Sequence, residues 1–185
     1  AIQGLVVYMA ILKGFTGLSP VRFLKKFLPV MGFAFSTATS NATIPMSIDT
    51  LHRKMGVSRR ISSFTIPLGA TINMDGTAIY QGVCAIFIAT AFGIDLSLGQ
   101  MVTIVLTATL ASIGTAGVPG AGMVMLAMVL QSVNIPIEGI ALVAGIDRIF
   151  DMGRTTVNIT GDAACAVIVS KMEDRKTAKT QGAVR

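Results

Sequence analysis

The chain has 185 residues, 52% of them hydrophobic and only 13% charged, with a formal net charge of +6. A soluble domain carries about 25% charged residues, so this chain lacks the polar surface to cover itself in water, and an all-α integral membrane protein is expected. The basic excess does not mark a nucleic-acid partner, which would need a continuous basic face, usually with stacking aromatics; here Trp is absent and the aromatics sit in apolar stretches.

The positive charges are grouped instead. They lie at Arg22, Lys25 and Lys26, at Arg53, Lys54, Arg59 and Arg60, and at Lys171, Arg175, Lys176 and Lys179, with no Lys or Arg between Arg60 and Arg148. Basic loops on one side and none on the other follow the positive-inside rule. A multi-pass protein of the cell membrane with a cytoplasmic C-terminus is therefore expected. Cys84 and Cys165 lie in apolar runs without CxxC spacing and read as packing residues. The chain opens on AIQGLVVYMAIL, with neither an initiator Met nor a basic n-region, and reads as a fragment that earlier spans precede.

Residues 1–13 are the end of a membrane helix, too short to cross alone. The stretch from Lys25 to Lys54 has positive charge at both ends and a polar middle of Ser36, Thr37, Thr39, Ser40, Asn41 and Thr43 before Pro45. A segment that enters and leaves on one side is a hairpin, and its non-helical tip is tolerated only inside protein or beside a water-filled cavity. Residues 61–94 form a long apolar run, broken at TINMDGT by Asn73, Asp75 and Gly76. Residues 96–137 carry no charge and are split by SIGTAGVPGAG, which reads as a second hairpin entering from the opposite side. Residues 137–170 return to a basic, solvated tail at 171–185. Opposed interrupted segments of this kind are the inverted-repeat layout of secondary transporters. The simpler alternative is two ordinary helical pairs.

The last helix carries the densest chemistry. Asp147, Asp151, Arg154, Asn158 and Asp162 are spaced 4, 3, 4 and 4 residues apart, which places them on a stripe about 80° wide. Each charge at the bilayer centre costs on the order of 2.5–3.5 kcal/mol, so such a stripe should face a polar cavity. Internal salt bridges are the structural alternative, but they leave Asp162 without a basic partner. The planar fork of Arg154 suits a substrate carboxylate, and Asp151 suits an amino group. Asp75, Asp162, Asn73 and Asn158 offer the oxygen ligands that a hard cation prefers. His52, alone in a basic loop, reads as solvated. The Gly114–Gly122 segment lacks the ending of a phosphate loop. It suits a flexible gate or, more simply, close helix packing.

TINMDGT, SIGTAGVPGAG and DMGRTTVNITGD, following a SNATIP hairpin, resemble the dicarboxylate/amino-acid:cation symporters, the bacterial and archaeal relatives of excitatory amino acid transporters. The resemblance runs from about residue 14 onward. It implies two opposed re-entrant helical hairpins and two interrupted transmembrane helices. The chain then divides into a helix end and loop at 1–19, hairpin 1 at 20–55, an interrupted helix at 58–94, hairpin 2 at 97–135, a polar-faced helix at 136–170 and a cytoplasmic tail at 171–185. It implies substrate contacts from Thr39, Ser40, Thr77, Val118, Gly122, Asp151, Arg154, Thr155 and Asn158. One sodium site would use Gly69, Asn73, Asn158 and Asp162; a second would use Thr71, Ser112, Ile113 and Thr115. A third would use Asn73 and Asp75 with residues of an earlier helix, and Met74 would lie between substrate and sodium. A homotrimer moving as an elevator, with hairpin 2 as gate, is also implied. Many members carry a second arginine where this chain has Ala38 or Met152.

Sodium-coupled symport of an anionic amino acid, aspartate or glutamate, is the expected function, and no enzymatic role is expected. Cystine or C4-dicarboxylate symport, with protons in place of sodium, is the alternative within the same fold. Outside it stand a passive channel and an intramembrane aspartyl protease built on Asp75 and Asp162.

Overall fold

The computed structural model describes residues 1–182, with side chains to residue 177. The last three residues of the expected solvated tail, 183–185, lie outside the described residues. Every regular element among the described residues is helical.

The first helix opens with a wide π-helical turn, Gln3–Val7, and runs directly into α1 (Tyr8–Thr16), which stops at Gly17 in the left-handed region. α2 (Pro20–Thr37) starts on a proline, whose fixed φ suits a first helical turn and whose missing N–H costs nothing there. It ends at Ala38 with φ 53°, and α3 (Ser40–Met55) starts at once, capped by the Thr39 side chain. The small hydroxyl residues at this junction compete with the helix for backbone hydrogen bonds. α2 and α3 therefore fold back on each other and pack side by side.

α4 (Arg59–Ile72) and α5 (Asp75–Ala91) would be one continuous apolar helix but for Asn73 and Met74, whose backbone leaves helical geometry. α6 (Leu98–Ile113) starts at a full capping box, in which the Ser97 hydroxyl accepts from the Gln100 backbone and the Gln100 side chain accepts from the Ser97 N–H. After the glycine-rich segment the chain re-enters as α7 (Ala121–Ser132), packed on α6 and α5. A 3-10 turn, Ile137–Gly139, and the short α8 (Ile140–Ala144) precede α9 (Asp147–Gly182). The polar-faced helix thus starts at Asp147 rather than 136. It runs past residue 170 because Lys171 and Asp174 continue it as an exposed charged face.

Two separate apolar clusters hold the fold together. Leu12, Phe27, Val30, Leu51 and Ile66 of α1–α4 close on Ile159, Ala163 and Val167 of α9. Ile88 of α5, Ile104 of α6, Leu126 and Leu130 of α7 and Val143 of α8 make the second. The polar stripe of α9 lies between them. The exterior is the reverse of a soluble protein's: Leu98 is 79% exposed, Val124 72% and Leu110 71%, while Asp151 and Arg154 are buried. α4 and α5 together, Arg59–Ala91, are long and apolar enough to cross a membrane.

Ala38 is the buried strain point of this architecture, because a Cβ in the left-handed region costs about 1–2 kcal/mol. Ala38→Gly is expected to stabilise the protein by about 1 kcal/mol. A denaturant titration in detergent measures this, and an unchanged or lowered midpoint would show that the turn is not strained.

Candidate substrate and cation site

The site forms where α9 passes the two chain reversals and the break between α4 and α5. Continuing the α9 spacing, Asp147, Asp151, Arg154, Asn158 and Asp162 are all buried, as their shared stripe predicts. Buried in this way, each needs a polar partner.

Arg154 is 6% exposed and binds Asp151 Oδ1 through Nε at 3.0 Å and Nη2 at 2.9 Å. Its guanidinium lies over the Tyr80 ring, 4.7 Å from the centroid, and the Tyr80 hydroxyl donates to Asp147 Oδ1 at 2.6 Å. The other oxygen of Asp151, Oδ2, accepts from the Gly120 N–H at 2.8 Å. That leaves Arg154 Nη1, which is buried and without a hydrogen-bond partner. Nη1 presses against Gly122, where any Cβ would collide with it.

Ser40, Thr77, Val118, Gly122, Asp151, Arg154, Thr155 and Asn158 line one closed cleft, together with Ala38, Met74 and Thr115. Its free volume is only about 10 Å³, no more than the minimum that a single water needs. Thr39 stands at its rim, and its hydroxyl donates to Gly117 O at 2.6 Å. The Asn41 N–H reaches the same carbonyl at 3.2 Å, so the α2–α3 turn and the glycine-rich segment are tied tip to tip.

A second group of polar residues lies one turn further along α9. Asp162 is 2% exposed, and its Oδ1 accepts from Asn73 Nδ2 at 2.9 Å; the same amide donates to Asn158 O at 3.2 Å. Asn158 Oδ1 accepts from the Gly76 N–H at 2.8 Å, which satisfies the broken end of α5. Gly69 is in close contact with Asp162, again with no room for a Cβ. Gly69, Asn73 and Asp162 line a groove of about 430 Å³ with Tyr8, Thr65, Gly161 and Cys165. No Lys, Arg or His makes an ion pair with Asp162 among the described residues. Asp162 and the Asn158 carbonyl supply oxygens on either side of the Asn73 amide, which presents its nitrogen to both; with that amide turned to present Oδ1, the three form an oxygen set that fits a hard cation.

The remaining predicted ligands are dispersed. Thr71 is exposed and its hydroxyl donates to Pro67 O. Ser112 and Thr115 are buried and donate to Thr109 O and Ala111 O, while Ile113 is 42% exposed. Asp75 Oδ2 accepts from Gln3 Nε2 at 2.9 Å and from the Tyr8 hydroxyl at 2.8 Å. Gln3, Tyr8 and Tyr80 escaped the sequence reading, because each meets its carboxylate across 67 or more residues and no local spacing signals such a pair.

Among the described residues the chain is all helix, with many apolar side chains on its exterior and the charged residues of α9 gathered at a small internal cleft. The chain belongs to the sodium:dicarboxylate symporter family, whose model matches residues 1–172. It is 45% identical over 169 residues to an excitatory amino acid transporter of Caenorhabditis elegans, covering 91% of this chain and 34% of that protein. It is 41% identical over 169 residues to a proton/sodium-glutamate symport protein of Bacillus subtilis (strain 168), covering 91% of this chain and 39% of the relative. Against a mouse neutral amino acid transporter B(0) it is 40% identical over 175 residues, 95% of this chain and 32% of that one. The chain thus spans about a third of the length of the curated relatives it matches.

Asp162→Asn removes a buried carboxyl that has no basic partner among the described residues and keeps the shape. We expect it to reduce, without abolishing, the rise in melting temperature that sodium chloride gives over potassium chloride, because the other expected sodium positions are untouched. Paired melting curves test this, and an undiminished sodium-induced rise in the variant would remove Asp162 from cation binding.

Proposed function

We propose that this chain is the transport core of a sodium-coupled symporter for acidic amino acids, aspartate or glutamate, in the cell membrane. The observation that carries the reading is the buried, partnerless Nη1 of Arg154, facing the cleft beside Gly122. A buried donor left unmade costs about 1–3 kcal/mol, and a visiting carboxylate would satisfy it.

The substrate's side-chain carboxylate takes Nη1, and its amino group takes Asp151 Oδ2, which the Gly120 N–H occupies in this closed form. Thr155, Asn158, Thr77, Ser40 and the backbone at Val118 complete the cleft walls. A space of about 10 Å³ cannot hold an amino acid, so the glycine-rich segment must swing away to admit one. Substrate ammonium and the Gly120 N–H compete for one oxygen, so the segment that closes on the empty cleft must release Asp151 before a substrate can take it.

Sodium enters at Asp162 with Asn73, Asn158 and Gly69. A second ion uses Thr71, Ser112, Ile113 and Thr115, and a third uses Asn73 and Asp75, where Gln3 and Tyr8 of the first helix now join the set. Met74 and Asn158 touch both groups: Asn158 Nδ2 lies 3.1 Å from the Met74 sulfur and 3.3 Å from the Thr77 hydroxyl. Neither ligand alone then completes the closed state, which couples the two fluxes.

The α2–α3 and α6–α7 pairs act as opposed re-entrant hairpins (20–55 and 97–135), with the second as gate. The C-terminus faces the cytoplasm, and the full-length protein works as a homotrimeric elevator. The apolar exterior and the broken α4–α5 helix support this placement. The neutral-transporter relatives suggest a substrate with an uncharged side chain instead, but such a side chain would leave Arg154 Nη1 unmet. Asp75 and Asp162 have separate partners, Gln3 and Tyr8 for one and Asn73 for the other. That arrangement offers no shared-proton dyad to a protease.

In the full-length protein, Arg154→Ala is expected to weaken aspartate binding at least 30-fold, the consequence of losing a buried charge partner worth about 2–5 kcal/mol. Sodium-dependent stabilisation should persist. Calorimetric titration with aspartate in sodium and in potassium reads both, and unchanged aspartate affinity in the variant would defeat the assignment. Competition of labelled aspartate uptake by cystine and by succinate ranks the substrates; stronger competition by either than by unlabelled aspartate would move the preference to it.

A further inference from the structure

A cleft remote from the substrate site lies between the start of α2, the end of α3 and the late part of α9. It has a volume of about 170 Å³ and is lined by Leu18, Ser19, Arg22, Phe23, Lys26, Met55 and Val167. Its floor is apolar, with Phe23 and Val167 buried, and its rim is basic, with Arg22 and Lys26 exposed one helical turn apart.

The charge pairing on this end of the molecule is uneven. Arg53 and Arg59 share Asp49, Arg60 meets Glu173, and Lys171 meets Asp174. Around the cleft, Arg22, Lys25, Lys26 and Lys54 have no carboxylate partner among the described residues. Lys26 Nζ donates to Lys54 O at 2.5 Å, which draws the ends of α2 and α3 together and concentrates their charge. Ser19 makes no side-chain cap at the start of α2, and the positive end of that helix's dipole adds to the positive field. Val167 lies four residues before Lys171, so the cleft sits where the apolar wall of α9 gives way to charge. Val21, 60% exposed, and Leu28, 62% exposed, continue the apolar surface from the rim along α2.

We infer that this cleft is a binding site for an anionic phospholipid. The headgroup phosphate sits between Arg22, Lys26 and the start of α2, and the acyl chains lie along the apolar flank of α2. The volume admits about five or six water-sized groups, which suits a glycerol-phosphate head and not a whole lipid. The occupant is taken as a lipid because the basic rim meets an apolar floor and flank, whereas a soluble anion needs only the rim. The inference rests on membrane residence and is independent of which amino acid is carried.

The test uses purified full-length protein in neutral detergent, titrated with phosphatidylglycerol, with phosphatidylcholine and with inorganic phosphate, and scored by native mass spectrometry and melting temperature. Phosphatidylglycerol is expected to be retained and to raise the melting temperature, while phosphatidylcholine and phosphate do neither. A Lys or Arg near an anionic surface contributes about fivefold in affinity. Arg22→Gln should therefore weaken retention about fivefold, and Arg22→Gln with Lys26→Gln about thirtyfold. Arg53→Gln with Arg60→Gln, whose cations already have partners, should leave it unchanged. Equal loss in the two double variants would reduce the effect to diffuse attraction and overturn the site. An equal response to inorganic phosphate would overturn the lipid assignment. Retention is scored without transport, so it stands or falls whatever aspartate uptake does.

Discussion

The stripe of five polar side chains on α9 constrains everything around it. These groups are buried, and burying charge without compensation is among the costliest things a fold can do. The rest of the chain supplies the compensation. The opening of α5 provides the Gly76 N–H to Asn158, the glycine-rich segment provides the Gly120 N–H to Asp151, and the Tyr80 hydroxyl serves Asp147. Two of these partners are backbone groups that only a broken helix exposes. The interruptions at Asn73–Met74 and Gly114–Gly120 are thus the structural counterpart of the charged helix, and neither arrangement would be stable without the other.

Two of the incompletely served groups have a functional reading, while the buried Gln81 Oε1, also without a partner, has none. Arg154 spends two of its three nitrogens on Asp151 and keeps the third unmatched. Asp162 has one amide neighbour and no counter-charge. Asp147 accepts from the Tyr80 hydroxyl on Oδ1 and stands outside the cleft. Residues of one stripe therefore divide the work between them. Asp147 braces the aromatic ring beneath Arg154, whereas Asp151 holds Arg154 and the Gly120 N–H, and Asp162 holds Asn73.

Much of this was legible in the sequence. The 4, 3, 4, 4 spacing alone puts the stripe on one face, because helical periodicity is local and fixed. The break at Asn73 and the turn at Ala38–Thr39 were marked by polar residues inside apolar runs, and the helix boundaries fall within a residue or two of those marks. The long-range pairs were not legible. Gln3 and Tyr8 look like minor polar residues in an apolar opening, and nothing nearby announces that the first helix crosses Asp75. The extent of α9 was also missed, since charged residues after 170 suggested a tail, although Lys and Glu are good helix formers on a solvated face.

The separation of the two apolar clusters by a polar seam has a mechanical consequence. α9 contributes Ile159, Ala163 and Val167 to the α1–α4 cluster and also packs against α5 and α8. Apolar contacts within each cluster are dense, while the links across the seam include directional hydrogen bonds that can exchange partners. Each half can therefore behave as a foldon with its own opening free energy. Slippage along the seam would not breach either half, which gives the molecule a built-in plane of yielding.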